Sequence, residues 1–226
     1  SEVKIVTRIF LFSIIFFSTI SYSQKLDVSF YDLNIDFDID NKYINGSNKI
    51  YFELSNKTDS LKFNLFKNLH VDSVLFLKSK LKFNHINNEI IIYLNKTLEI
   101  GNYLVEVFYS GSPIEALNPP WDGGFIWEKD SFNNHWVGVA CQGEGASLWW
   151  PSHDKLFDEP DSIKFSATVP NNLMFVSNGN LIFKKDTLIN SSKKKQYVWK
   201  NSYPINHYNI TANIADYKHF SDTING

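Results

Sequence analysis

Residues Leu33 to Asp40 read LNIDFDID: Leu33, Ile35, Phe37 and Ile39 alternate with Asn34, Asp36, Asp38 and Asp40. A period of two puts the apolar set on one face and the polar set on the other, the signature of a half-buried strand. Upstream, Leu26, Val28 and Phe30 alternate in the opposite phase. A bulge or bend near Tyr31-Asp32 would reconcile the two runs. Downstream, Asn45-Gly46 is a turn signal, and Ile50, Phe52 and Leu54 read as the returning strand.

The alternation continues along the chain. It recurs at Leu61, Phe63 and Leu65, at Ile90, Ile92 and Leu94, and at Tyr103, Val105, Val107 and Tyr109. It stops in SGSPIEALNPPWDGG, residues 110–124, a loop rich in Gly and Pro. GFIWEKD and HWVGVAC then form a hairpin around Asn133-Asn134. Ile163, Phe165, Ala167 and Val169 follow, then a turn at Asn178-Gly179, a strand with Tyr197 and Trp199, and a last run at Tyr208, Ile210, Ala212 and Ile214. No window offers an amphipathic helix of useful length. The fold class is therefore all-β, with many antiparallel strands in one large sheet or two packed sheets. The basic run Lys193-Lys194-Lys195 is expected at a solvated hairpin tip.

Composition agrees with a packed core. The chain has 226 residues, 43% hydrophobic and 16% aromatic, which fits one large domain or two small ones and argues against disorder. A formal net charge of −2 gives no general attraction to nucleic acid or anionic membrane. Lys4 and Arg8 precede the apolar run Ile9 to Ile20, and Ser21-Tyr22-Ser23 follows. Residues 1–23 thus read as a secretory signal cleaved before Gln24, leaving no stable membrane span and a periplasmic or secreted protein. A buried helix or uncleaved anchor is the alternative. The sequence starts at Ser1 without methionine and ends at Gly226 just after a strand-like run, as a piece of a longer protein would.

The densest chemistry lies in ACQGEGASLWWPSHD, Ala140 to Asp154. Cys141 is the only cysteine, which rules out an intrachain disulfide and Cys-based zinc clusters. Pairing Cys141 with His135 or His153 as a nucleophile lacks any oxyanion-hole motif. None of the six histidines, His70, His85, His135, His153, His207 and His219, forms His-Glu-x-x-His. His135 and His153 flank the stretch and could meet in space, but satisfied or surface histidines are the better reading. The acid row Asp36, Asp38 and Asp40 lacks the looped backbone that wraps calcium and reads as a solvated face. Trp121, Trp127, Trp136, Trp149 and Trp150 lie near Asp122, Glu128, Glu144 and Asp154. That grouping fits sugar binding or glycoside hydrolysis, or simply core packing.

One resemblance covers roughly Asp27 to Phe220. GVACQGEGASLWWPSHDKLFDEPDSIKFSATVPNNLMFVSNGNL resembles the N-terminal β-domain of the aminopeptidase N family of zinc metallopeptidases, the gluzincin aminopeptidases. The matching elements are Cys141-Gln142-Gly143, Trp150-Pro151, Asp154, Pro160, Val169-Pro170 and Leu173 to Leu181; NSYPINHYNITANIADYKHF resembles the family's penultimate strands. Ala140 and Gly143 depart from residues common there, and KLFDE is an insertion.

The resemblance implies a large antiparallel saddle-like sheet or β-sandwich over residues 24–226. It implies a zinc catalytic domain afterwards in the same polypeptide, since neither the zinc motif nor Gly-x-Met-Glu-Asn occurs in residues 1–226. The chain alone is then expected to be inactive and to bind no zinc itself. Its own contribution would be substrate binding: Gln142, with Gly143 and Glu144, would meet the free amino terminus of a peptide. Acceptor oxygens in a dry cleft suit an ammonium, and Glu144 either adds charge or orients the loop. The rivals are a secreted β-sandwich that binds carbohydrate through its tryptophans, and a homologue that has lost catalysis.

Overall fold

The computed structural model describes residues 26–155, 158–189 and 191–222; the leader read over 1–23 lies outside them. Among the described residues fifteen strands run in chain order. They are β1 (Leu26–Asp38), β2 (Tyr43–Leu54), β3 (Thr58–Asn64), β4 (Leu69–Phe76), β5 (Ser79–Lys80), β6 (Lys82–Ile86), β7 (Glu89–Leu98) and β8 (Gly101–Gly111). After these come β9 (Gly124–Lys129), β10 (His135–Ala140), β11 (Ser162–Pro170), β12 (Met174–Val176), β13 (Asn180–Ile189), β14 (Ser192–Asn201) and β15 (Asn213–Ala215). The described residues contain no α-helix, only the short 3-10 turns Ala146–Leu148 and His207–Asn209.

The strands form three sheets. The largest has eight, in the order β13-β14-β11-β1-β2-β8-β4-β5. A four-stranded sheet, β12-β15-β10-β9, and a three-stranded sheet, β3-β7-β6, complete the fold. The apolar face read from the sequence is the core: Leu33, Ile35 and Phe37 are all fully buried. Aromatic pairs stitch the sheets together. Phe165 meets Phe175 at 4.8 Å between centroids, and Phe52 meets Phe63 at 6.0 Å.

The all-β class holds, but several local expectations need correction. The large sheet is mixed, because β1 pairs β11 in parallel, with Leu33 opposite Phe165. A pairing between segments so distant in sequence leaves no local trace in either. The bulge lies at Ser29 rather than Tyr31-Asp32, between the Val28 and Phe30 pairs of the β1–β2 ladder. It leaves Phe30 half-buried against Tyr51, at 5.4 Å, and turns Tyr31 into the core.

Asn45-Gly46 is not a turn; it sits inside β2, opposite Asp36 and Ile35. The chain reverses at 39–42 instead, where the Asp38 carboxylate accepts from Asn41 N at 3.2 Å and Asn41 Nδ2 at 2.8 Å. Gly46 is needed for close approach: a β-carbon there would stand 2.9 Å from the Tyr109 ring. Lys193-Lys194-Lys195 belongs to β14, and Lys194 reaches back to Asp36 at 2.5 Å. Tyr208 lies in a 3-10 turn, so only Ile214 of the last alternating run is in a strand.

Candidate functional site

The stretch from Ala140 to Asp154 occupies the junction of all three sheets. β10 ends at Ala140 and a tight turn follows, closed by Gly145 N–H donating to Cys141 O at 2.8 Å. Gly145 has φ +89, and a β-carbon there would lie 2.6 Å from Asp154 Oδ2. Both the backbone conformation and the space demand glycine. The chain then dives inward, burying Ala146 to Ser152. Trp149 and Trp150 are fully buried: Trp150 meets Tyr31 edge-on at 4.8 Å, and Trp149 meets Phe125 at 5.6 Å and Phe165 at 5.7 Å.

Backbone polar groups in the bend find partners on neighbouring strands. Asn64 and Ser152 exchange both N–H···O bonds, at 2.7 and 3.0 Å. Asn48 Nδ2 donates to Pro151 O at 2.8 Å, and His153 N–H donates to Tyr31 Oη at 3.0 Å. His153 Nδ1 contacts Asp158 Oδ2, whose other oxygen accepts from Val28 N–H at 2.9 Å. Such satisfaction is what permits a polar segment to be buried.

The three residues of the predicted binding site sit at the exposed tip of the turn. Gln142, Gly143 and Glu144 are all exposed, and a β-carbon on Gly143 would touch nothing within 4 Å. Glu144 folds its carboxylate against Gly123 of the 110–124 loop, where any side chain would collide with it. Cys141, at the base, is buried and places Sγ 3.2 Å from Tyr208 O.

Burial pushes the Cys141 thiol up to about 12, with the nearby Asp154 and Glu144 charges adding to the rise and a Trp149 hydrogen bond opposing it. The thiolate is the nucleophile, so this cysteine is inert at neutral pH. At pH 8 its alkylation should run about three orders of magnitude slower than that of a free thiol, because the thiolate fraction falls in that proportion. Rates with iodoacetamide before and after denaturation in urea check this; equal rates would show an accessible thiolate.

The histidines do not converge. His135 pairs with Asp40 at 3.2 Å, His153 with Asp158, and His207 with Asp154 at 3.5 Å. Each has its own carboxylate, and the described residues contain no group of three or more His, Cys, Asp or Glu side chains placed to hold a metal. Asp36 and Asp32 face Lys194 and Lys164, while Asp38 caps its turn. The tryptophans divide as well: Trp149 and Trp150 are core, Trp127 stacks on Phe125 at 5.0 Å, and Trp121 and Trp136 are exposed. A sugar platform built on the Trp149-Trp150 pair is therefore excluded by burial. Sequence spacing gave no sign of the Asp154–His207 contact, because its partners meet only when the last turn folds over the bend.

This arrangement of three sheets around one bend matches known structures. An M1 zinc metallopeptidase from Deinococcus radiodurans superposes with a TM-score of 0.69 at 16% identity, over 84% of this chain and 42% of that one. A two-domain M1 zinc metallopeptidase mutant bound to L-arginine gives 0.69 at 15% identity, with the same coverages. So does a mutant of the Deinococcus radiodurans enzyme bound to a Tyr-Ser-Ala substrate. The fold is that of the M1 N-terminal domain. No family model and no curated protein sequence matches the chain. The M1-type domain described here spans 42% of the length of these structures. In this chain the junction bend, and not an edge of the large sheet, carries the exposed Gln142 turn.

Proposed function

We propose that this chain is the N-terminal, substrate-binding domain of an exported zinc aminopeptidase. The single observation behind the reading is the fold match at TM-score 0.69 over 84% of the chain. Two features of the sequence support it: the leader-like residues 1–23 and the motif elements from Cys141 to Leu181. The zinc would be held by residues outside this chain, since the described residues offer only separate His–Asp pairs. When bound, such a metal polarises a carbonyl and activates water.

The chain's own part is recognition of a peptide's amino terminus. Gln142 presents an amide oxygen at the tip of a turn whose base is buried, so its backbone is held while its side chain is free to reach a substrate. Gly143 leaves the approach open, and Glu144 braces the turn against Gly123. An ammonium meeting an uncharged amide gains one charge-assisted hydrogen bond.

The test uses the complete enzyme. Gln142→Ala should weaken binding of free-amine peptides about tenfold, the scale of one hydrogen bond to a charged group. N-blocked analogues, measured as competitive inhibitors, should bind as before. An equal loss for both ligand classes would remove Gln142 from the amine site.

A further inference from the structure

The turn that carries Gln142 is held at both ends by one distant segment. At its start, Cys141 Sγ lies 3.2 Å from Tyr208 O. At its end, Gly145 packs on the Asp154 carboxylate, which also accepts from Ser147 N–H at 3.2 Å and Ser152 Oγ at 2.5 Å. Asp154 Oδ1 in turn faces His207 Nδ1 at 3.5 Å. Tyr208 and His207 are neighbours in the 3-10 turn His207–Asn209.

His207 is the unusual member. Its side chain is 5% exposed, yet neither ring nitrogen has a hydrogen-bond partner. A buried imidazole with both nitrogens unpaired costs free energy that a core apolar side chain would not. Its edge-on contact with Tyr208, at 5.6 Å, fixes the ring. Its ring faces the Asp154 carboxylate, beyond hydrogen-bond geometry but within electrostatic reach.

We propose that the His207–Asn209 turn is the positioning element of the candidate site. It acts through the Asp154 carboxylate and the Cys141 thiol to set the conformation of the Cys141–Gly145 turn. His207 and Asp154 are positioning residues that touch no substrate; their effect reaches a ligand only through Gln142. That last step, from turn geometry to amine affinity, rests on the function proposed above, whereas the clamp itself does not.

Amide hydrogen exchange in this chain tests the clamp. In His207→Gln, the Gly145 and Ser147 amides should exchange about tenfold faster while Leu33 and Val107, in the core strands, keep their rates, because local opening is cheaper than global unfolding. A uniform rise at all four positions, or none at Gly145 and Ser147, overturns the proposal. Should His207→Gln fail to fold, the Cys141 pair decides: Cys141→Ala should release Gly145, whereas Cys141→Ser, which keeps a donor to Tyr208 O, should protect it. Equal rates in those two variants overturn the clamp as well.

In the complete enzyme, His207→Gln should raise KM for a free-amine peptide with kcat unchanged. The rise should vanish in a Gln142→Ala background, because residues acting through one another are not additive. Additive effects overturn positioning. An equal loss of free-amine and N-blocked ligands in Gln142→Ala would instead remove the amine reading and leave the exchange result standing.

Discussion

Replacing Trp149 by alanine is expected to destabilise the chain by about 3–5 kcal/mol, the range for emptying a large aromatic site in a packed core. Trp149 has no exposed surface and sits where the sheets meet. It contacts Phe125 of β9, Phe165 of β11 and its neighbour Trp150, whose ring stands at 89° to it. Alanine would remove a ring through which the bend packs on both the eight-stranded and the four-stranded sheet. The loss is chiefly one of packing and burial, since these ring contacts are apolar. Urea unfolding should show the midpoint fall by about 1–2 M with little change in slope. A loss below about 1 kcal/mol, the size of an ordinary surface substitution, would contradict the position of this ring in the core. Trp121→Ala, at an exposed site, is the control and should lie within about 0.5 kcal/mol of the parent.

Asp158→Ala should have an effect of similar size for a different reason. Asp158 is 6% exposed and serves two buried groups, the Val28 N–H and the His153 ring. Removing one partner of a buried pair leaves the other uncompensated, which costs about 3–5 kcal/mol. The orphaned Val28 amide adds the desolvation of an unpaired donor. Asp158→Asn keeps an oxygen for Val28 and should lose less. Its nearness also raises the Asp27 carboxyl above its ordinary value, after the larger contribution of burial. Thermal and urea unfolding of the three proteins at pH 7 measure the order. An alanine variant as stable as the asparagine one would show that Val28 and His153 do not depend on this carboxylate.

Both variants strike the bend between Cys141 and Pro160, whose role divides what was legible in the sequence from what was not. The strands were legible wherever one face is buried, because alternation is imposed residue by residue; Leu33 to Phe37 and Tyr103 to Tyr109 are examples. Asn45-Gly46 shows the reverse of this. Local propensity favours a turn there, but the space needed by Tyr109 on β8 requires a glycine within a strand. The pairing of β1 with β11 was invisible, since a parallel partner beyond more than a hundred residues leaves no mark on spacing.

The candidate site divides in the same way. The sequence singled out Gln142, Gly143 and Glu144 by resemblance, and the structure places all three together on an exposed turn. It could not show that Cys141 is buried against Tyr208 or that His207 reaches Asp154, because those contacts depend on how the last segment returns across the bend.

By itself, the sequence determined the all-β class, the apolar faces of the strands and the stretch that joins them, since each follows from local periodicity and residue type. Tertiary structure alone decided that the large sheet is mixed, that Trp149 and Trp150 are core rather than platform, and that His135, His153 and His207 face separate carboxylates. Those outcomes depend on which distant surfaces meet, and burial and electrostatic pairing are fixed only when they do.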